Sequence, residues 1–298
     1  MTAKGVEAKP SETATFAALR RALAYQEYGN QQFGPDHLAT IFLPPHFRFF
    51  LKFKKIRENT KAKLNGFLPG LTEMMIARTA YFDQLFRQAL ANQTPQIVLL
   101  GAGYDTRAYR FADQNTGTKV IELDIAPTQN WKIKSLQKAK IDIPENVTLA
   151  PINFNTDPLA DALHKAGYDP AAKTLFLWEG VSYYLQADSV DTTLSFVREH
   201  AHPESLIVFD YVVPLTDENR EAYGVAAFYK TMQKEHGDEA LVFAIGDGQI
   251  ETFLHERGLQ LIEHLDNQQI EQKFLTNAET LLGQMTANFR FVTAAPQS

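Results

Sequence analysis

Residues 96–111, QIVLLGAGYDTRAYRF, set Gly101 and Gly103 directly behind four consecutive apolar residues, Ile97, Val98, Leu99 and Leu100. An apolar run of this kind suits a strand covered on both faces of a parallel sheet. The glycines then let the backbone turn sharply and pass close to a ligand without a side chain between. Two acids, Glu122 and Asp124, end the next apolar run about twenty residues later, where a carboxylate accepts hydrogen bonds from both hydroxyls of a ribose. The chemistry implied is retention of a nucleoside cofactor, with Asp124 the better placed of the two acids.

In open α/β sheets ligands sit outside the carboxyl ends of the strands. The third such end reads Asn153-Phe154-Asn155 and the fourth Trp178-Glu179-Gly180. Arg78 belongs with them for a separate reason. Leu71, Met75, Arg78, Phe82, Leu85 and Ala89 recur at helical steps, which puts a guanidinium on an apolar stripe. A buried guanidinium needs an anion, either a cofactor carboxylate held in a bidentate pair or an internal partner among Asp83, Asp105 and Glu179.

Dinucleotides and S-adenosylmethionine both use such a site. A dinucleotide fingerprint carries a third glycine where this chain has Thr106, and Asp105 would set a negative charge near the diphosphate. For a cofactor without phosphates that acid costs nothing. Asp105 and Thr106 can each cap the helix that begins near Arg107, with Thr106 the expected one and the role of Asp105 open.

The elements that must hold these residues are legible in the rest of the chain. Residues 1–12 read as a flexible tail, and 13–90 as an N-terminal helical cap punctuated at Gly34-Pro35, Pro44-Pro45 and Pro69-Gly70. From 91 to 298 the text alternates, with strands expected at 96–100, 119–125, 147–152, 174–179, 205–211, 259–265 and 288–294. Helices are expected near 105–113, 128–140, 158–166 and 188–201. This is the pattern of a doubly wound, Rossmann-like α/β sheet of seven strands. Residues 215–257 exceed a crossover and form a helical insert before the sixth strand, part of it over the ligand site.

LLGAGYDTRAYR, VIELD, FLWEGVSYYL and IARTAYFD, with FLHERGL later, resemble the leucine carboxyl methyltransferase family, in particular its bacterial S-adenosylmethionine-dependent branch. The resemblance spans about residues 70–295 and implies a methyltransferase sheet whose last strand is antiparallel. It implies S-adenosylmethionine as cofactor, with Arg78 and Gly101 (flanked by Ala102 and Gly103) at the methionyl part and Asp124, beside Glu122, at the ribose. Glu179, followed by Gly180, would lie near the methionyl ammonium. Asn153-Phe154 stands where the family often has aspartate and leucine beside the adenine; asparagine both donates to and accepts from an adenine edge.

The reaction expected is methyl transfer to an oxygen of a small-molecule acceptor. A carboxylate acceptor is ionised at neutral pH and needs no general base, whereas a hydroxyl does. Tyr183, Tyr184, Phe228, Tyr229 and Phe243 are candidate walls of the acceptor pocket. The rivals are an NAD-dependent oxidoreductase and a non-catalytic S-adenosylmethionine-binding protein.

Composition narrows the rest. A net charge of -6 speaks against a nucleic-acid partner, and cysteine is absent, so disulfides and thiolate chemistry are excluded. The histidines show no metal-binding spacing, and no metal is expected. No run approaches a membrane span and the first residues lack an apolar signal core, so a soluble cytoplasmic protein without membrane partners is expected. Between His46 and Lys63 seven cations interleave with Phe47, Phe49, Phe50, Phe53 and Ile56. That stretch is expected to be an amphipathic helix packed over the sheet.

Overall fold

The structure is a computed structural model, and it describes residues 9–30, 33–236 and 241–297; most of the expected tail lies outside them. Among the described residues four α-helices precede the sheet, α1 (Glu12–Tyr28), α2 (Pro45–Phe50), α3 (Lys54–Phe67) and α4 (Leu71–Ala91), with a 3-10 helix, Ala39–Phe42, between the first two. The strands of the main sheet are β1 (Gln96–Leu100), β2 (Lys119–Asp124), β3 (Val147–Pro151), β4 (Thr174–Trp178), β5 (Leu206–Val212) and β6 (Leu259–Leu265). A small ribbon of β7 (Thr276–Asn277) and β8 (Thr280–Leu281) precedes the last strand, β9 (Phe289–Pro296).

The sheet order is β3-β2-β1-β4-β5-β9-β6. Strands β1 to β5 pair in parallel, while β9 runs antiparallel between β5 and β6. This is the expected seven-stranded, doubly wound sheet. Its reversal of order falls between β1 and β4, where the crevice for a ligand opens in such sheets. The β7–β8 ribbon carries no strong sequence signal and was not anticipated.

Side chains of β1 alternate between two cores, as strand geometry requires. Ile97 and Leu99 join the cluster of α4, Tyr183 and Phe289, whereas Val98 and Leu100 join Phe176, Trp178 and Leu194 on the other face. The crossovers α5 (Arg107–Arg110), α6 (Ala126–Lys138), α7 (Leu159–Lys165) and α8 (Ala187–His200) lie close to their expected positions. In the insert, α9 (Val225–His236) and α10 (Ile250–His255) form, and α11 (Asn267–Ile270) follows β6.

α1 packs in a third cluster with Phe42, Leu43, Leu51 and Tyr104, where Phe42 stacks on Tyr104 at 4.9 Å between centroids. Tyr104 comes from the glycine turn after β1, so this cluster ties the N-terminal helix to the crevice. The stretch between His46 and Lys63 is helical as expected, but as two helices, α2 and α3, of which α3 packs against α4 and the α1 cluster rather than over the sheet. α2 and α3 bury no residue, and Leu51 between them is the anchor. The reason lies in composition: α3 offers only a narrow half-buried stripe, Ile56, Thr60 and Leu64, with Leu64 against the α1 cluster, while the phenylalanines of α2 and Phe53 stay exposed.

Candidate cofactor site

The turn after β1 is held by main-chain geometry and one carboxylate. Gly101 and Gly103 have φ of 72° and 46°, the left-handed region that side chains disfavour. Asp124 ends β2 and reaches across to this turn, its Oδ2 accepting from the Gly103 amide at 2.6 Å and its Oδ1 from the Ile125 amide at 2.8 Å. Burial raises the Asp124 pKa above the usual aspartate value, and the two amides only partly offset it. The acid thus braces the glycine turn and the start of α6 together.

Arg78 projects from α4 to the ends of β4 and β5. Its Nε donates to Glu179 at 3.1 Å, and its Nη1 donates to Asp210 at 2.9 Å and to the Tyr183 hydroxyl at 3.0 Å. Asp210 also accepts from the Gly180 amide at 2.6 Å. A Cβ on Gly180 would meet the Arg78 guanidinium at 2.9 Å, so only glycine admits this approach. The internal-partner alternative for Arg78 is therefore realised, with Glu179 as expected and Asp210 in addition.

Glu179 also accepts from Arg107 Nη1 at 2.7 Å. Burial alone would raise its pKa, but Arg107 and Arg78 pull it below the usual glutamate value. Arg107 binds Asp83 and Asp105 as well, and Arg110 binds Asp83 and approaches Asp36. Asp36 in turn accepts from Arg21 of α1 at 2.8 Å. Around the crevice, Arg21, Arg78, Arg107 and Arg110 face Asp36, Asp83, Asp105, Asp124, Glu179 and Asp210, an excess of negative charge.

The other expected site residues are placed differently. Glu122 is fully buried and pairs with Lys132 of α6 at 2.6 Å. Asn153 and Phe154 are partly buried beyond β3, and the Asn153 amide donates to Asp157. Tyr183, Tyr184, Phe228 and Tyr229 share one face of the sheet, with Tyr229 donating to the Val213 carbonyl at 2.6 Å. Phe243 packs on Phe253 in the opposite core. Thr106 does not cap α5: Asp105 accepts from the Arg107 amide, while the Thr106 hydroxyl accepts from Arg110. The shorter aspartate geometry two residues ahead meets the free amide first.

Two residues were missed. Asp210 interrupts the apolar run LIVFDYV of β5, and an acid inside such a run is a signal that was available. Arg20 stands beside Arg21 on α1 but turns inward, 3% exposed. Its Nε is buried without a hydrogen-bond partner, and it forms no ion pair among the described residues. Burial lowers its pKa to about 10, against the attraction of Glu73 and Tyr184.

The crevice is closed by the protein itself. Val181 lies over Gly101 and Ala14 of α1 over Gly103. Beside it are two cavities of about 10 Å³, each the size of one water, both lined in part by Arg21 and Asp36. The residues nevertheless fit an adenosyl sulfonium. The net negative wall suits a cation and opposes a diphosphate, the glycine positions admit close approach, and Arg20 retains a buried guanidinium for a carboxylate.

The sequence model of the leucine carboxyl methyltransferase family matches residues 14–198. A Bacillus subtilis (strain 168) protein, named as a candidate S-adenosyl-L-methionine-dependent methyltransferase YktD, is 30% identical over 210 residues, 70% of this chain and 67% of that protein. A similarly named protein of Frankia alni is 39% identical over 124 residues, 41% of this chain and 42% of that protein. The chain thus spans about two thirds of the first relative and less than half of the second. A crystal structure of a candidate methyltransferase from Thermobifida fusca superposes with a TM-score of 0.62 at 16% identity, covering 98% of this chain and 96% of that one. A duf574 family protein from Streptomyces avermitilis gives 0.59 at 12% identity, covering 98% and 99%. At these identities the likeness is one of fold.

Proposed function

The chain belongs to the leucine carboxyl methyltransferase family, and from that premise we propose that it moves a methyl group from S-adenosylmethionine to an oxygen of a small-molecule acceptor. The observation that carries this reading is the convergence of the Gly101–Gly103 turn, Asp124, Glu179 and Arg78 at the reversal point of the sheet. When bound, the cofactor supplies an electrophilic methyl group on a sulfonium.

Asp124 is proposed to receive the ribose hydroxyls, and the Asn153-Phe154 corner to face the adenine. Glu179, kept ionised by Arg107 and Arg78, suits the methionyl ammonium. Arg20 and Arg78 are the cations available to a carboxylate; Arg78 already spends its donors on Glu179, Asp210 and Tyr183, whereas Arg20 spends none. Glu122, committed to Lys132, braces β2 against α6.

Tyr183 and Tyr184 flank the proposed acceptor side. Burial raises both phenols, that of Tyr184 to about 12, so neither serves as a base at neutral pH. This favours an acceptor that arrives ionised, namely a carboxylate. The role left to the protein is alignment and exclusion of water, and α1 with the Val181 turn performs the exclusion.

Calorimetry with S-adenosylhomocysteine and NAD tests the cofactor. Binding of the first and not the second is expected, and the reverse overturns the reading. Incubation with methyl-labelled cofactor and a panel of carboxylic acids and phenols tests the acceptor. A carboxylate product releases its label as methanol in mild base; a phenol ether does not.

A further inference from the structure

α2 and α3 present an unusual surface. Phe47, Phe49, Phe50, Phe53 and Phe67 are each between 41% and 63% exposed, and Phe49 sits edge-on to both Phe50 and Phe53. Phe49, Phe50 and Phe53 form a contiguous aromatic patch, where scattered exposed apolar residues would need no explanation. Between Pro45 and Phe67 the chain carries seven cations, Arg48, Lys52, Lys54, Lys55, Arg57, Lys61 and Lys63, against one acid, Glu58. The whole chain has a net charge of -6, so this face is a positive island on an acidic protein.

The cations divide by what they touch. Arg48 and Arg57 fold back onto main-chain carbonyls of the α2 region, those of Ile41 and Leu43 for Arg48 and of Leu51 and Lys52 for Arg57. They fix the turn that carries the phenylalanines, with Leu51 as its buried root. Lys61 pairs with Glu27 of α1, and Lys54 reaches Glu58 only loosely at 3.7 Å. Lys52, Lys55 and Lys63 are exposed, and no ion pair involves them among the described residues.

From this arrangement we infer that the α2–α3 face docks on an anionic lipid bilayer, the phenylalanines entering the headgroup boundary and the lysines meeting lipid phosphates. Apolar side chains interleaved with lysines are the pattern of interfacial attachment, in which hydrophobic insertion and attraction to anionic lipid add. A nucleic-acid surface is the weaker match, because backbone binding is carried by cations and here exposed phenylalanines outnumber the uncommitted lysines. No helix among the described residues is long and apolar enough to cross a membrane, so the attachment is to one leaflet.

The test is flotation of the full-length protein with vesicles of phosphatidylcholine alone and with 30% phosphatidylglycerol, at about 0.1 M salt, where the Debye length is roughly 10 Å. Recovery with the anionic vesicles at least tenfold above the neutral ones is expected, falling at high salt. The triple variant F49S/F50S/F53S and the double variant K52E/K55E should each lose that recovery. Both should keep the wild-type thermal transition and its affinity for S-adenosylhomocysteine, since these side chains are exposed and away from the strand ends. Equal recovery with both vesicle types, or retention by the triple variant, overturns the proposal. So does preferential binding of single-stranded DNA at the same salt, or a dimer that the triple variant dissolves without any vesicle binding.

Discussion

Asp210, within β5, accepts a 2.9 Å hydrogen bond from Arg78 of α4, 132 residues earlier in the chain. The partner oxygen of the same carboxylate accepts from the Gly180 amide. One acid therefore fixes both the inward cation and the turn that follows β4. Burial raises its pKa even beside that cation, so the acid depends on its partners to remain ionised.

Asp210→Leu should destabilise the protein by about 3 kcal/mol, the typical cost of stranding one member of a buried pair. The double variant Arg78→Met/Asp210→Leu should recover part of that loss, because no buried charge at that pair is then left without its partner. Urea denaturation of the two singles and the double gives the coupling. Additive losses would show that the pair contributes little to the fold.

Asp124→Asn separates a ligand role from a structural one. Loss of charge-assisted hydrogen bonds, about 1.5–3 kcal/mol each, should weaken S-adenosylhomocysteine binding at least tenfold. Because the folded-state pKa of Asp124 is raised, its contribution to stability is present below the ordinary aspartate value of about 4 and is lost as pH rises through the folded value. The asparagine variant should therefore gain stability relative to wild type across that window, measured by thermal melts without ligand. Wild-type affinity should fall on acidification at a pH above that ordinary value.

Arg20→Met removes a buried guanidinium that has no ion-pair partner among the described residues. The ligand-free variant should melt higher than wild type, since the desolvation cost of Arg20 exceeds the attraction of Glu73 that is lost with it. Its affinity for S-adenosylhomocysteine should fall while that for adenosine, which has no carboxylate, stays unchanged. A lower melting temperature with unaltered affinities would make Arg20 part of the scaffold.

The absence of cysteine allows a clean lock on α1. A Cβ built on Gly103 lies 3.3 Å from that of Ala14, slightly short of the spacing of a disulfide, about 3.5–4.5 Å. Gly103→Cys alone should weaken S-adenosylhomocysteine binding, because a side chain there enters the close approach to the ligand, and oxidation of Ala14→Cys/Gly103→Cys should abolish the binding that the reduced double variant retains. Equal binding in both states would mean that the cofactor enters without displacement of α1.

Much of this architecture was legible in local text. Apolar runs marked the central parallel strands β1, β4 and β5, because burial on both faces leaves few alternatives, whereas the edge strand β6, LQLIEHL, is partly exposed. The glycines, Asp124 and Glu179 were legible for the same reason: strand ends converge in this fold whatever fills the core. α2 and α3 were misread because aromatics among cations look alike whether they face a core or the solvent. Only a tertiary partner tells the two apart, and here Leu51 and Leu64 find one in the α1 cluster while the phenylalanines stay exposed.

Pairing was the larger unknown. Sequence alone determined that Arg78 turns inward and that an anion, from a cofactor or from the chain, must answer it, since periodicity sets direction and desolvation sets the need. Which acid answers was decided by the sheet order, which sets β5 beside β4 and brings Asp210 to Gly180 and Arg78. The same tertiary packing left Arg20 without an ion pair among the described residues and laid α1 over the glycine turn. Contacts between residues far apart in the chain depend on how the layers stack, and no local spacing encodes that.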